Sequence, residues 1–88
     1  MAFQAEVVVL DPIGLHARPA GQIVKFVKEG GYDVKIGPSA DELVAGNSAL
    51  RLMAMKANTG STLLVVVETD DATLGQSIVD QIQEFLKG

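Results

Sequence analysis

The stretch "STLLVVVET", residues 61–69, decides the fold. Its centre, Leu63 to Val67, is the longest apolar run in the chain. A short, Val-rich run with polar ends is typical of an interior strand that has neighbours on both sides and is covered on at least one face. The run is far too short to cross a bilayer as a helix. The remaining sequence should therefore supply flanking strands and a covering layer.

Three further strands are predicted before this one, at residues 3–10, 32–36 and 42–45. The segment "DPIG", residues 11–14, ends the first strand with turn chemistry, and "GPSAD", residues 37–41, forms a loop between the second and third strands. Together with residues 61–69, the chain therefore has four predicted strands.

Three helices are predicted from apolar residues at helical spacing. The first begins near His16 and stops at Gly30-Gly31, the second covers about residues 48–57, and the third covers residues 72–86. The predicted core stripe of the first helix is Ala20, Ile23, Val24 and Val27. The predicted stripe of the third helix is Leu74, Ile78, Ile82 and Phe85. Asp70 and Asp71 precede the third helix, where acidic side chains complement the helix dipole.

The element order is thus β-α-β-β-α-β-α. Four strands and three helices in 88 residues predict an α+β fold, an open-faced β-sandwich in which the helices cover one face of an antiparallel sheet. The length supports one core, so residues 1–88 are interpreted as a single domain. No repeat or linker divides the chain.

Composition excludes several classes of function. The formal net charge of −4 argues against general nucleic-acid binding, which depends on a basic surface. The absence of cysteine excludes disulfides and thiolate metal sites, and the single histidine leaves no metal-ligand cluster. The start "MAFQAEVVVL" lacks the pattern of a signal peptide. We therefore expect a cytoplasmic monomer that neither inserts into membranes nor carries a metal.

The most informative feature is the single histidine, His16. Pro19 is tolerated in the first turn of a helix but not in its interior, so His16 should lie at or just before the helix start. Free N–H groups and the helix dipole favour an anion there, and Arg18 could add charge-assisted hydrogen bonds to a phosphate. Because neutral imidazole is a nucleophile, this arrangement suggests reversible phosphoryl transfer.

Composition alone also allows a plainer interpretation, in which His16 and Arg18 are solvated residues at a helix end. A Ser-His-Asp arrangement is poorly supported, since no nucleophile or orienting acid stands at a telling spacing from His16. Folding could still bring such an acid to the ring.

A resemblance to a known family changes this balance. The heptapeptide "GLHARPA", residues 14–20, followed by an amphipathic helix with Lys25 and Lys28, resembles the active-site signature of the HPr family. These proteins are the histidine-containing phosphocarriers of the bacterial phosphoenolpyruvate-dependent sugar phosphotransferase system. The stretch "NSALRLMAMKANTG", residues 47–60, the length and the element order also match. The resemblance covers nearly the whole chain and implies the strand order 1-4-2-3.

The resemblance implies a carrier cycle rather than an enzyme with turnover of its own. His16 would accept a phosphoryl group on Nδ1 from phospho-enzyme I and pass it to the EIIA domain of a sugar transporter. Arg18 would contact the phosphate, and the backbone amides of Ala17 and Arg18 would help to hold it. No metal or organic cofactor is implied. The alternative is a regulatory HPr paralogue, of the nitrogen branch or another, that acts mainly by docking to partners.

The second helix should contribute the partner surface. Its residues are apolar in nearly every direction, so if Leu52 and Met55 face the core, Leu50 and Met53 form an exposed patch. The resemblance assigns docking to Ala49, Leu50 and Met53. The basic residues Lys25, Lys28 and Arg51 would then surround His16 with positive charge and steer it towards acidic partners.

Ser48 stands at the start of this helix. It falls at the regulatory serine position of Gram-positive relatives, where an ATP-dependent kinase, HPr kinase/phosphorylase, phosphorylates the serine and slows transfer to the histidine. A phosphate at this position would be tolerated by the helix but would repel an acidic partner. A serine at a helix start is also simply a common N-cap.

Overall fold

The structure, a computed structural model, describes residues 1–88. The predicted order β-α-β-β-α-β-α and the open-faced architecture are both confirmed. The strands are β1 (Ala2–Val8), β2 (Val34–Gly37), β3 (Val44–Ala45) and β4 (Thr62–Glu68). The helices are α1 (Ala17–Gly30), α2 (Ala49–Ala54) and α3 (Ala72–Phe85).

The four strands form one antiparallel sheet in the order β1-β4-β2-β3. The apolar strand β4 is interior, as predicted, with Val65 opposite Ala5 of β1 on one side and Ile36 of β2 on the other. Backbone groups of β4 are therefore paired along both edges. Because an unpaired buried peptide group is costly, this interior position suits the least polar strand of the chain.

The core lies between one face of the sheet and the three helices. Alternate strand residues point into it, and the helices contribute their apolar stripes. The fully buried side chains include Val7, Val9, Ile23, Val27, Ile36, Leu52, Val65, Ile78, Ile82 and Leu86. On the opposite face of the sheet, Val66 is buried between its cross-strand neighbours Gln4 and Lys35. The apolar run of β4 is thus shielded on both faces, although a helical layer covers only one.

Helix α1 buries the stripe that its spacing predicts. Ala20, Ile23 and Val27 are buried and Val24 is half-buried. The helix ends at Gly31, which adopts the left-handed conformation with φ 65° and donates its N–H to the carbonyl groups of Lys28 and Val27. Glycine is favoured here because a Cβ atom would make this conformation strained. None of the helices is long and apolar enough to cross a membrane.

The predicted stripe of α3 is wrong at Leu74, whose side chain is exposed. Gly75 is the residue that faces the sheet at this level, since a Cβ atom on it would lie 2.5 Å from Cγ of Phe3. The buried stripe is instead Gly75, Ile78, Val79, Ile82 and the C-cap Leu86. The absence of a side chain at Gly75 lets α3 approach β1 closely and turns Leu74 towards solvent.

Helix α2 is shorter than predicted and ends at Ala54 rather than Ala57. The N–H groups of Met55 and Lys56 bond to carbonyls three residues back, which tightens the last turn, and Lys56 has the left-handed φ of 53°. The carbonyl of Ala57 is then free to accept from Leu15 N at 2.9 Å. The helix therefore ends before the left-handed backbone of Lys56, and the segment after it pairs with the loop before α1. The strands are likewise shorter than predicted, and β3 has only two residues.

Two glycines on different helices provide a matched test of this packing. Gly75→Ala should lower the free energy of unfolding by about 1–2 kcal/mol, because the new methyl group overlaps the side chain of Phe3. Gly21→Ala should raise it by about 0.5–1 kcal/mol, because Gly21 is exposed within α1 and nothing lies within 4 Å of the position of its Cβ atom. Urea unfolding followed by circular dichroism measures both. Equal gains in the two variants would contradict the close approach of α3 to β1.

Candidate functional site

His16 is the residue that opens helix α1. It is the N-cap, with φ −105° and ψ −169°, and its side chain makes no capping hydrogen bond. Pro19 is buried in the first turn of the helix, as the sequence predicts. The His16 ring is 28% exposed. It is thus accessible from solvent while its backbone is fixed by the helix start.

The loop before His16 is held by two parts of the fold. The N–H groups of Leu10 and Asp11 both donate to the carbonyl of Leu86, at 2.9 and 2.8 Å, which ties the loop to the end of α3. Leu15 N donates to the carbonyl of Ala57, and the Thr59 hydroxyl donates to the carbonyl of Asp11. The segment between α2 and β4 therefore supports the loop from the other side.

Gly14 is required at the tightest point of this loop. Its φ is 89°, and a Cβ atom on it would lie 2.7 Å from the carbonyl oxygen of Ala57. A side chain at position 14 would be strained by the backbone conformation and would also collide with the neighbouring segment. The conformation of Gly14 thus fixes the point at which the chain turns into α1 and delivers His16.

The carboxylate of Asp11 meets the histidine ring. Asp11 is 1% exposed and is the only charged residue that is buried. Its Oδ1 accepts from Ile13 N at 2.9 Å, and its Oδ2 lies 3.0 Å from Nε2 of His16 and 3.4 Å from a guanidinium nitrogen of Arg18. The orienting acid that the sequence did not reveal is therefore formed by folding.

Sequence reasoning missed Asp11 because it read "DPIG" only as a turn. The turn interpretation is correct as far as it goes, since Asp11 Oδ1 bonds the backbone two residues on, as Asp does in many turns. The available signal was that this turn immediately precedes the only histidine. The direction of the second carboxylate oxygen depends on the loop conformation, which the spacing of residues does not define.

The pKa of Asp11 is lowered below its ordinary value of 3.8. The largest cause is the hydrogen bond from Ile13 N, which favours the ionised form, while burial opposes it. The hydrogen bond to His16 and the charges of His16 and Arg18 lower the pKa further. Asp11 is therefore a carboxylate, and not a carboxylic acid, when it contacts the ring at neutral pH.

The first turn of α1 is suited to an anion. The N–H groups of Ala17 and Arg18 have no intrahelical acceptor, and no acidic residue lies in this turn. The Arg18 side chain is 60% exposed and can move towards a bound group. A histidine ring, a guanidinium group and free helix amides are thus brought together around the N-terminus of one helix.

The exposed apolar patch on helix α2 is smaller than predicted. Leu50 is 77% exposed and Leu52 is fully buried, as the helical projection indicates. Ala49 and Met53 are half-buried and pack partly against the core, so Met53 does not point fully away from it. The reason is that α2 contacts α1 as well as the sheet edge, which buries more of its circumference than one covering layer would.

Ser48 is the N-cap of α2. Its hydroxyl oxygen accepts from Arg51 N at 3.3 Å, so the capping interpretation is confirmed. The residue is half-buried. Capping by a Ser side chain satisfies one of the N–H groups that the helix itself leaves without an acceptor.

The basic side chains on α1 and α2 are exposed. Lys25, Lys28 and Arg51 form no ion pair, and none of them contacts His16 through a hydrogen bond. Lys25 borders a groove between α1 and α3, and Arg51 borders a cleft beside the loop that precedes β3. The hydrogen-bonded cluster at the site therefore contains only Asp11, His16 and Arg18. No group of three His, Cys, Asp or Glu side chains lies close enough together for a metal site.

Fold and site together define a small open-faced sandwich whose only histidine starts the first helix and faces both a carboxylate and an arginine. A family model described as "PTS HPr component phosphorylation site" matches residues 3–88. The chain belongs to this HPr family of the phosphotransferase system, whose members are phosphocarriers rather than enzymes.

Proteins named phosphocarrier protein HPr are similar to this chain over most of its length. The phosphocarrier protein HPr of Borreliella burgdorferi is 34% identical over 84% of this chain and 85% of its own length. That of Treponema pallidum is 38% identical over 84% of this chain and 83% of its own. The crystal structure of HPr from Bacillus anthracis covers 96% of this chain and 95% of its own, with a TM-score of 0.77 at 25% identity. The expected family and its strand order 1-4-2-3 are thus confirmed.

The lowered pKa of Asp11 predicts an acid-sensitive contribution to stability. The pKa of this carboxylate is lower in the folded state than in the unfolded state. Its ionised form therefore stabilises the fold when the pH is above the unfolded-state pKa, and this contribution is lost as the pH falls through the folded-state pKa. The stability advantage of wild type over Asp11→Ala should therefore be constant near neutral pH and should shrink below pH 3.8. Urea unfolding at a series of pH values measures it. Asp41→Ala, which removes an exposed carboxylate without a hydrogen-bond partner, is the control. An advantage that persists unchanged into strong acid would contradict the lowered pKa.

Proposed function

We propose that this chain is a phosphoryl carrier of the phosphoenolpyruvate-dependent sugar phosphotransferase system. It accepts a phosphoryl group on His16 from phospho-enzyme I and donates it to EIIA domains of sugar transporters. The observation that carries the proposal is the position of His16, a partly exposed ring at the N-terminus of α1 beside free helix amides. The cycle takes place in the cytoplasm, with residues 1–88 acting as one monomeric phosphocarrier domain.

The transfer is a substitution at phosphorus. The lone pair of the His16 Nδ1 atom forms the new P–N bond, and the bond between phosphorus and the donor breaks. The amides of Ala17 and Arg18 and the guanidinium of Arg18 neutralise the phosphoryl oxygens, since all are donors near the positive end of the helix dipole. The step needs no metal or organic cofactor from this chain.

The docking surface consists of Ala49, Leu50 and Met53 with the surrounding cations Lys25, Lys28 and Arg51. Leu50 supplies the exposed apolar anchor. Residues 16–30 and 48–57 carry five of the seven basic side chains and one of the eleven acidic ones. These two segments are therefore positively charged within an acidic protein, which favours encounter with acidic partners over basic ones.

Ser48 is proposed as a second phosphorylation position, the substrate of an HPr kinase/phosphorylase. It lies two residues before Leu50, so a phosphate on its hydroxyl would stand at the edge of the docking surface. Ser48→Asp should slow phosphorylation of His16 by enzyme I, because the added charge repels an acidic partner, whereas Ser48→Ala should not. Equal rates for the two variants would remove Ser48 from the regulation of this site.

The carrier role is tested by intact-mass spectrometry after incubation with phosphoenolpyruvate and catalytic amounts of enzyme I. One phosphoryl addition that is labile in acid and stable in base is expected in the wild type. It should be lost in His16→Ala, whose fold is checked by circular dichroism, because no other residue of the chain is a histidine. A parallel reaction uses enzyme I of the nitrogen branch, and the enzyme that phosphorylates the chain faster identifies the branch to which it belongs.

Two results would contradict this proposal. Phosphoryl acceptance by His16→Ala would make the site assignment wrong. No acceptance by the wild type from either enzyme I would favour the alternative, a regulatory HPr paralogue that acts by docking alone.

The docking surface is tested with Leu50→Glu. The substitution places a charge on the apolar anchor, and affinity for enzyme I should fall about tenfold or more, as for loss of one central interface residue. Isothermal titration calorimetry measures it. Leu74→Glu, the same change at an exposed position of α3, is the matched control and should bind normally. Equal affinity in both variants would show that α2 does not contribute to binding.

A further inference from the structure

The proposed carrier cycle assigns no role to the buried carboxylate of Asp11. Asp11 is the only buried charged residue, and both of its carboxylate oxygens have defined partners. A buried carboxylate is costly unless hydrogen bonds and charges compensate it. The turn at residues 11–14 uses only Oδ1, through Ile13 N. The second oxygen, Oδ2, is directed at His16 and not at the turn.

The partners of the two oxygens fix the direction of the hydrogen bond. Ile13 N–H can only donate, so Oδ1 accepts from it. An ionised carboxylate has no proton to give, so Oδ2 also accepts, and Nε2 of His16 must carry the hydrogen at 3.0 Å. A neutral imidazole ring holds one N–H only. The other ring nitrogen, Nδ1, then has a free lone pair and no protein hydrogen-bond partner.

We infer that Asp11 is a positioning residue for phosphoryl transfer, which holds the neutral His16 ring in the Nε2–H tautomer and thereby presents Nδ1 as the nucleophile. The inference rests on the proposed function for its consequence, since it explains why Nδ1 is the ring nitrogen that reacts. Its structural part, the tautomer, is measurable on the free protein without any partner.

The same contact accounts for the charge that develops in the transfer. When the Nδ1 lone pair bonds to phosphorus and the donor bond breaks, the hydrogen stays on Nε2 and the ring gains a positive charge. The Asp11 carboxylate at 3.0 Å stabilises this charge, as the acid of a Ser-His-Asp triad does for its imidazolium. When the phosphoryl group leaves for the next acceptor, the bond pair returns to Nδ1 and the ring is again neutral. No proton moves in either direction.

Asp11→Asn is the sharpest test because it should invert the tautomer. Ile13 N–H donates to Oδ1 at 2.9 Å, whereas Arg18 lies 3.4 Å from Oδ2 and is exposed enough to turn to solvent. The Asn oxygen therefore takes the place of Oδ1 and the amide NH₂ takes the place of Oδ2, beside His16. The NH₂ group donates to Nε2, and the single ring hydrogen of neutral His16 moves to Nδ1. The nucleophilic lone pair is then blocked. Asp11→Ala removes both partners and should leave a mixture of tautomers.

The tautomer is measured by long-range ¹H–¹⁵N NMR of the His16 ring at alkaline pH, and activity by the initial rate of phosphorylation with phosphoenolpyruvate and enzyme I. We expect the Nε2–H form in wild type and the Nδ1–H form in Asp11→Asn. The phosphorylation rate of Asp11→Asn should fall about tenfold or more, with a smaller fall in Asp11→Ala and no change in KM for enzyme I. Asp41→Asn, the same change at an exposed loop position, should match wild type.

Each result has a distinct meaning. A wild-type ring in the Nδ1–H form overturns the inference even if no Asp11 variant folds. A variant in which the tautomer inverts but the rate is unchanged, or the rate falls without a tautomer change, also overturns it. If wild type has the Nε2–H form but enzyme I does not phosphorylate it, the proposed function fails and the positioning role fails with it, whereas the measured tautomer remains valid.

Discussion

Strand β4 depends on pairing along both of its edges, and the rest of the molecule is arranged around that requirement. Val65 lies opposite Ala5 on one side and Ile36 on the other, and its side chain is fully buried under the helices. A strand this apolar is stable only where its backbone groups are bonded and its side chains are covered. Since β1 and β2 flank β4 and α1 connects them, α1 crosses over β4, and it does so on the same face that α2 and α3 cover.

The position of His16 follows from this arrangement. The end of β1 stays beside the start of β4, with Val9 N bonded to the carbonyl of Ser61, and the chain then turns under the end of α3 and the segment after α2. Backbone groups of Leu86 and Ala57 accept from this loop, so two distant parts of the sequence hold it in place. The histidine that follows this short loop is thereby oriented without a deep pocket, and its ring stays partly exposed.

The charges near the site differ in sign between the protein surface and the interior. The whole chain is acidic, with a net charge of −4, but the two helices nearest the site carry most of the basic side chains. Asp11 is the exception, an acidic group within the site, and it is buried. Its carboxylate contacts the His16 ring, the Arg18 guanidinium and the backbone N–H of Ile13. The basic side chains of these two helices are therefore exposed, whereas the carboxylate that contacts the histidine is buried.

The sequence by itself determined the element order, the interior position of β4, the placement of His16 at a helix start and the family, because these depend on local periodicity, on Pro19 and on a contiguous motif. It did not determine the end of α2, the outward turn of Leu74 or the contact between Asp11 and His16. The outward turn of Leu74 and the Asp11–His16 contact depend on groups far apart along the chain: Gly75 with Phe3, and the loop bonds to Leu86 that hold the backbone of Asp11. Helix α2 ends before the left-handed backbone of Lys56, a conformation that the helical pattern did not reveal. Local patterns define which residues can form an element, whereas the direction of a side chain in a loop is decided by the long-range hydrogen bonds that hold its backbone.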